Sequence, residues 1–333
     1  MTDATTAQRL DGYDYDRKAL RAKLAGVPQD PGSPKPQPIL TVDRIVRRFG
    51  GMTAVDVDHL EVQRGAITAL IGPNGAGKTT FFNLITGFDR PSSAKGALRG
   101  NGDQYARWTF QGKQLASTSA YRVAQAGMVR TFQLTKALSR MTVLDNMLLG
   151  AQDQPGERML AALIPPAWRK RETEIRERAV DLLARFKLDG KKDDYAGSLS
   201  GGQRKLLEMA RALMSDPAMI MLDEPMAGVN PALTQSLLGH IESLRDQGTT
   251  VLFVEHDMHM VRHISDWVVV MAEGRIVAEG PPANVMRHQA VVDAYLGSHH
   301  DQDLGDDAVL EEDFVAAVAA EEAQRAEQTE EEA

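Results

Sequence analysis

The chain of 333 residues contains no cysteine, which excludes disulfide bonds, zinc–thiolate sites and cysteine nucleophiles. It also lacks any run of about 20 apolar residues, the length that a membrane-spanning helix needs. Its first ten residues show no basic start followed by an apolar stretch, which is the pattern of a secretory signal. These absences favour a cytoplasmic protein that does not itself cross a membrane.

The basic residues form no block interleaved with aromatic residues, so a nucleic-acid surface is not indicated. The net charge of −8 is unevenly distributed, because residues 298–333 hold 13 acidic residues and a single basic one. The chain before them therefore carries a net charge of +4. We predict that residues 298–333 form a solvated acidic tail, although the helical periodicity of residues 306–322 leaves weak docking open.

The most informative stretch reads GPNGAGKTT and fits the phosphate-loop pattern G-x-x-x-x-G-K-[ST]. An apolar run at residues 66–71 predicts a buried strand before it, and residues 81–85 can continue as a helix. The glycines let the backbone wrap around phosphate, and the N–H groups at the helix start face the anion. The predicted nucleotide-binding residues are Gly72, Pro73, Asn74, Gly75, Ala76, Gly77, Lys78, Thr79 and Thr80.

Two side chains of this loop have predicted roles in nucleotide chemistry. Lys78 can reach the β- and γ-phosphates, and the Thr79 hydroxyl can ligate Mg²⁺. The alternative is a glycine-rich turn that binds nothing. All fixed positions of the pattern are present between a strand and a helix, which favours the phosphate loop.

Strands alternate with helices along the chain, which predicts an α/β fold with a mainly parallel sheet. Residues 1–38 end in a proline-rich stretch and are predicted to be a disordered extension and linker, with a short helix possible at residues 15–24. The folded domain is predicted at residues 39–297. Its helix-rich segment, from about 136 to 205, interrupts the alternation and indicates an inserted helical subdomain.

An apolar strand, MIMLDEP at residues 219–225, ends in two carboxylates. Asp223 can hold Mg²⁺, usually through water. Glu224 is predicted on the opposite side of the strand and is the candidate general base for the attacking water. A strand end that simply faces solvent is the alternative, which the otherwise apolar strand and Pro225 disfavour.

Three further motifs give the chain its resemblance to the ATP-binding cassette ATPases. LSGGQ at residues 199–203 resembles the signature sequence of that family and stands shortly before the strand that ends at Asp223. Gln133 follows Lys78 at the spacing where the family has its glutamine loop. His256 follows Asp223 at the spacing where the family has its switch histidine.

The resemblance covers about residues 39–297. It implies the fold of a P-loop NTPase of the cassette type, with a RecA-like core, an antiparallel β-subdomain and the inserted helical subdomain. It also implies that ATP and Mg²⁺ are the cofactors, that Gln133 completes the Mg²⁺ shell, and that His256 orients the water. Phe49 stands where the family has an aromatic residue, usually tyrosine, that stacks on adenine, but a core role is the alternative. The implied catalytic residues are Lys78, Gln133, Glu224 and His256, and the implied metal ligands are Thr79, Gln133 and Asp223.

The signature residues begin a helix and are predicted to bind the nucleotide as a second anion site. They are Ser200, Gly201, Gly202 and Gln203. In the family two cassettes dimerise head to tail, so each ATP lies between one chain's phosphate loop and the other chain's signature. Asn230 stands where an aspartate is usual, which removes one charge from the dimer seam. Whether the second cassette is identical or different stays open.

The sequences around these motifs resemble those of the ATPase subunit of bacterial branched-chain amino-acid importers. That resemblance implies a second ATPase subunit, two transmembrane permease subunits and an external solute-binding protein that this chain meets only indirectly. It places the chain on the inner face of the cell membrane. The alternatives are the ATPase of an export or lipid-transport system, that of a urea or amide importer, and a soluble switch protein. No nucleic-acid partner is expected.

Overall fold

The computed structural model describes residues 16–92, 106–115, 118–131, 138–152 and 165–297. Their contacts divide the chain into two compact units. The first unit contains the described residues up to Ser119 and those from Leu252 onward, and the second is Ala120–Val251. The predicted acidic tail, the start of the chain and Gln133 lie outside the described residues.

An antiparallel sheet in the first unit has the strand order β2-β1-β4-β5. Its strands are β1 (Pro38–Phe49), β2 (Met52–Gln63), β4 (Arg107–Phe110) and β5 (Lys113–Gln114). The long hairpin of β1 and β2 closes through a turn at Gly50 and Gly51. One face of β1 is buried, as the apolar positions Leu40 and Val42 require. Strands β1 and β2 are each 12 residues long.

A second group of strands in the first unit carries the phosphate loop. It comprises β3 (Ile67–Ile71), the end of β8 (Thr250–Val254), β9 (Trp267–Ala272) and β10 (Arg275–Gly280). Strand β3 pairs in parallel with β9 and lies between β9 and β8, while β10 pairs antiparallel with β9. Every residue of β3 is buried, which is why its sequence is a continuous apolar run without alternation.

Five helices described in the first unit surround these strands. They are α1 (Arg17–Ala25), α2 (Lys78–Ile85), α8 (Met258–Ile264), α9 (Pro282–Val285) and α10 (Gln289–Gly297). Helix α2 follows directly from the phosphate loop and buries Phe81, Phe82, Leu84 and Ile85. These apolar residues fix the loop's helical end in the core.

The second unit combines two parallel strands with longer helices. Its strands are β6 (Met128–Arg130) and β7 (Met219–Asp223), and its helices are α3 (Ala120–Gln125), α4 (Val143–Leu148), α5 (Pro165–Arg185), α6 (Gly201–Leu213) and α7 (Pro231–Asp246). Helix α5 buries one apolar face with a spacing of three to four residues, which contains Ile175, Ala179, Leu182 and Leu183. The helix-rich segment between β6 and β7 agrees with an inserted helical subdomain, whose bounds stay a prediction.

Residues 16–38 differ from the solvated linker that their composition predicts. Helix α1 buries Leu20 and Leu24. Asp266, which is fully buried, accepts hydrogen bonds from the Nε atoms of Arg17 at 3.0 Å and Arg21 at 2.8 Å. Because its Oδ2 also accepts the N–H of Ile67 at 3.0 Å, this carboxylate joins α1 to the first residue of β3.

The proline-rich stretch after α1 is also fixed by a buried carboxylate. Glu279 accepts the N–H of Ser33 at 2.7 Å, the ammonium of Lys35 at 3.0 Å and the indole N–H of Trp267 at 3.0 Å. Burial lowers the pKa of Lys35, while the charge of Glu279 opposes that shift. The linker prediction fails here because both carboxylates come from the opposite end of the folded domain in sequence, where no local pattern can indicate them.

We predict that Asp266→Asn lowers the free energy of unfolding by about 2 kcal/mol, because two arginines lose their charged acceptor. Guanidinium denaturation of the full chain measures this loss. Asp58→Asn, at an exposed aspartate of β2, is the matched control and should change little. An unchanged denaturation midpoint for Asp266→Asn would show that α1 is not held by this carboxylate.

Candidate nucleotide site

The phosphate loop runs between β3 and α2 and passes very close to two backbone carbonyl groups. Gly72 has φ +149°, and a Cβ there would lie 1.9 Å from the carbonyl oxygen of Met271. Gly77 has φ +98°, and a Cβ there would lie 2.3 Å from the carbonyl oxygen of Ala54. Only glycine fits at these two positions. The loop is therefore held in a fixed shape by β9 on one side and β2 on the other.

Lys78 is bound by the loop itself in this structure. Its ammonium donates hydrogen bonds to the carbonyl oxygens of Gly72 and Pro73, the latter at 2.9 Å. A phosphate would offer a charged acceptor in place of these neutral ones, and charge-assisted hydrogen bonds are the stronger ones. The Thr79 side chain beside it is exposed. The loop thus presents both predicted groups at the start of α2.

Phe49 ends β1 and is 46% exposed, so the alternative of a core role is wrong. The β1–β2 hairpin contacts the phosphate loop through Ala54, a few residues after Phe49. The register shifts between Arg47 and Arg48, which face Val55 and Thr53, so Ala54 is the extra residue of a β-bulge on β2. It is the carbonyl of Ala54 that approaches Gly77.

His256 is the second residue after the end of β8, and its side chain is 45% exposed. Its Nδ1 lies 4.0 Å from the buried carboxylate of Glu255. Asp257 caps α8 by accepting the N–H of Met260 at 3.0 Å, which gives that acid a structural role. Two other histidines have partners within the fold, since His59 pairs with Asp43 and His240 stacks on Phe186.

The second unit carries the two carboxylates. Asp223 is buried at the end of β7, and its Oδ2 lies 2.6 Å from Nη2 of Arg130, which is equally buried. Its Oδ1 is buried and accepts no hydrogen bond from the described residues. A carboxylate that is fixed through one oxygen and lacks a donor at the other suits a metal-bound water, so Asp223 fits the predicted metal role.

Glu224 is placed by a turn and not by strand alternation. Strand β7 ends at Asp223, and Glu224 has φ +46°, so the prediction from the strand period does not hold. Lys205 of α6 donates to the carbonyl oxygen of Glu224 at 3.0 Å. A small cavity beside Glu224 is lined by Thr131, Lys205, Glu208, Met209, Asp223, Glu224, Pro225 and Leu237.

The signature residues form the amino-terminal turn of α6, which confirms that they begin a helix. The hydroxyl oxygen of Ser200 accepts the N–H of Gln203 at 3.3 Å, and the side-chain oxygen of Gln203 accepts the N–H of Ser200 at 3.0 Å. This reciprocal capping box fixes the turn. Gly201 is exposed, while a Cβ at Gly202 would lie 2.1 Å from the side chain of Leu233.

The sequence-predicted residues thus fall into two groups. The first unit holds Phe49, the phosphate loop and His256, and the second holds Asp223, Glu224 and the signature. Sequence reasoning missed Arg130 and Lys205. Arg130 could have been found from the sequence, because a charged residue in a short strand of a parallel sheet needs a buried partner.

This geometry defines a phosphate-loop ATPase with a second helix amino terminus suited to anions. The family model of the ABC transporters matches residues 55–227, and that of the branched-chain amino acid ATP-binding cassette transporters matches residues 275–301. The chain is 38% identical to two high-affinity branched-chain amino acid transport ATP-binding proteins, BraF of Pseudomonas aeruginosa and LivG of Escherichia coli. Each match spans 263 residues, 78% of this chain and 98% of the relative.

Solved structures agree with these matches. The ADP conformation of an ATP-binding cassette of an ABC transporter is 38% identical, with a TM-score of 0.65, and the match covers 78% of this chain and 99% of that one. The predicted α/β cassette fold is confirmed. The chain belongs to the ATP-binding cassette ATPases of ABC transporters, so it binds ATP and couples its hydrolysis to transport.

We predict that Gly72→Ala destabilises the protein more than Gly75→Ala. Both glycines have a positive φ, but a Cβ at Gly75 would meet nothing within 4 Å. The Gly75 change should cost about 1–2 kcal/mol from the backbone conformation alone. The Gly72 change adds a clash with a backbone carbonyl, so its thermal midpoint should fall further. Equal midpoints would contradict the close approach to Met271.

Proposed function

We propose that this chain is the ATP-hydrolysing subunit of an importer for branched-chain amino acids and that it lies on the inner face of the cell membrane. The observation that carries this proposal is the 38% identity over nearly the full length of two such transport ATPases. The complete order of phosphate loop, signature, carboxylate pair and histidine supports active hydrolysis. A cassette that only binds ATP would need neither Glu224 nor His256.

The phosphate loop would bind ATP through its backbone N–H groups and Lys78. The ammonium would exchange the carbonyl oxygens of Gly72 and Pro73 for phosphate oxygens. Thr79, Asp223 and Gln133 would hold Mg²⁺, which supplies neutralisation of the charge on the β- and γ-phosphates. The buried Oδ1 of Asp223, to which none of the described residues donates, supports this assignment, since it has the chemistry to accept a hydrogen bond from a metal-bound water.

Glu224 would accept a proton from the attacking water, and His256 would hold that water in line. The hydrogen bond from Lys205 supports the first role, because it fixes the peptide that carries Glu224. The exposed His256 side chain supports the second, since its Nδ1 lies 4.0 Å from the Glu255 carboxylate, whereas Nδ1 of His59 lies 2.6 Å from Asp43. Such fixed groups align water and phosphate before the reaction begins.

A second cassette would complete the site with its own signature residues Ser200, Gly201, Gly202 and Gln203. The capping box supports this, because it fixes the turn while Gly201 stays exposed. Asn230 caps α7 by accepting the N–H of Leu233 at 2.9 Å. Asparagine caps helices as well as aspartate does, so this departure from the family keeps the helix start and removes only the charge.

Exposed apolar residues of the second unit support a docking surface for the permease subunits. Leu138, Leu149 and Tyr195 are 47%, 55% and 64% exposed. The backbone joins them around α4, since Tyr195 pairs with Thr142 and Leu149 caps the end of α4. Large apolar side chains left exposed together mark interaction sites. No helix in the described part of the chain is long and apolar enough to span a bilayer.

We predict that Glu224→Gln abolishes turnover, by about 100-fold or more, and leaves ATP binding intact. The variant should accumulate a closed cassette dimer with ATP, because the nucleotide is bound but not cleaved. Phosphate release and light scattering with the wild-type partner cassette measure the two effects. Glu242→Gln on α7, a change of the same charge away from the carboxylate pair, is the control. Normal turnover by Glu224→Gln would remove it as the base.

The importer itself is tested by affinity purification of the tagged chain from detergent-solubilised membranes. We expect two permease subunits and a second cassette to be recovered with it. Tyr195→Glu should lower that recovery at least fivefold, while Met52→Glu, at an exposed apolar residue of the first unit, should not. Recovery from the soluble fraction alone would favour a switch protein and contradict the proposal.

A further inference from the structure

We propose that Arg47 is a positioning residue for the nucleotide base. It packs against one face of Phe49 and holds that ring in place, so that the other face can receive adenine. The inference rests on the proposed adenine-stacking role of Phe49 and goes beyond it, since neither the family motifs nor the comparisons assign a role to Arg47.

The contact between the two side chains is direct. The guanidinium carbon of Arg47 lies 4.5 Å from the centroid of the Phe49 ring. Residues two apart on a strand project from the same face, and the β-bulge at this point adds its extra residue to β2, so the alternation along β1 is kept. An arginine within about 6 Å of a ring centroid is attracted by the ring's negative face. Arg47 therefore covers one side of a ring that is otherwise exposed.

Arg47 is itself anchored, which distinguishes it from an exposed arginine that happens to touch a ring. Its Nε lies 2.9 Å from Oδ2 of Asp89, and its Nη1 donates to the carbonyl oxygen of Arg90 at 3.0 Å. The main chain beside it is tied to the same segment, because the N–H of Arg48 donates to the hydroxyl of Ser92 at 2.9 Å.

That segment follows α2, the helix that begins at the phosphate loop. Asp89 is fixed to the end of α2 by its N–H, which donates to the carbonyl oxygen of Asn83 at 3.0 Å. Arg47 thus links the aromatic ring to the element that binds the phosphates. At the other end of α2, the bulge residue Ala54 presses its carbonyl against Gly77. Two separate contacts therefore fix the hairpin relative to the phosphate loop.

The consequence for binding is pre-organisation. An exposed phenylalanine at a strand end samples several rotamers, and stacking on a base would restrict it. A ring already held by Arg47 loses less freedom when adenine arrives, which favours binding. The effect concerns the base alone, so it should be the same for ATP and ADP. An effect of the arginine's charge on the phosphates would be larger for ATP.

The test measures the dissociation constants of ATP and ADP for the full chain by isothermal titration calorimetry. We expect Arg47→Ala to weaken both by the same factor, about two- to fivefold, which corresponds to an exposed cation–π contact. Arg47→Lys should recover part of the loss because it keeps a cation, and kcat at saturating ATP should stay unchanged. The matched control is Arg48→Ala, which removes the same charge from an exposed neighbour and should bind both nucleotides as the wild type does.

The Phe49→Ala variant and the double variant with Arg47→Ala and Phe49→Ala show why nucleotide binding weakens. If Phe49→Ala weakens binding and Arg47→Ala adds nothing in that background, the arginine acts through the ring. If Phe49→Ala weakens binding and Arg47→Ala has wild-type affinity, the inference is overturned while the role of Phe49 stands. If Phe49→Ala binds normally, the adenine-stacking role itself fails. Equal losses for Arg47→Ala and Arg48→Ala, larger for ATP than for ADP, would show a general charge effect and overturn the inference.

Discussion

The close approach of the phosphate loop to its neighbours is the constraint on which the first unit depends. The loop has contacts on both sides, with the carbonyl of Met271 against Gly72 and that of Ala54 against Gly77. The turn after β9 adds a further link, because the N–H of Gly274 donates to the carbonyl oxygen of Ala76 at 3.0 Å. A loop fixed in this way has its N–H groups oriented before the phosphate arrives, so binding requires little reorganisation.

A different interaction organises the carboxylates of the second unit. The ion pair of Arg130 and Asp223 is buried, and a buried pair of this kind is weak evidence for stability because desolvation offsets much of its attraction. The contribution of this ion pair is to orient the Asp223 carboxylate. The arginine occupies one carboxylate oxygen, and no described residue donates to the other, so the pair defines which atom is available to a ligand. Lys205 acts similarly on the next residue by holding its carbonyl group.

Much of the fold and of the site follows from local sequence. The phosphate loop, the capping box at Ser200 and the helix of Met258–Ile264 are fixed by short-range chemistry, and each was predictable from neighbouring residues. Contacts between residues far apart in the sequence could not be predicted in this way. The segment of Lys35 has the composition of a linker, yet its partner Glu279 lies 244 residues away. The predicted position of Glu224 failed for another reason, since the strand ends at Asp223 and the backbone turns at Glu224, where φ is +46°.

Asp266 joins helix α1 to the sheet at a point away from the phosphate loop. Helix α1 binds Asp266, and the same carboxylate binds Ile67, the first residue of β3. The phosphate loop follows the last residue of that strand. Parallel sheets bind ligands at the carboxyl ends of their strands, so α1 contacts the β3 strand at the end that the nucleotide does not use. Helix α1 can therefore stabilise this strand without altering the groups that touch ATP.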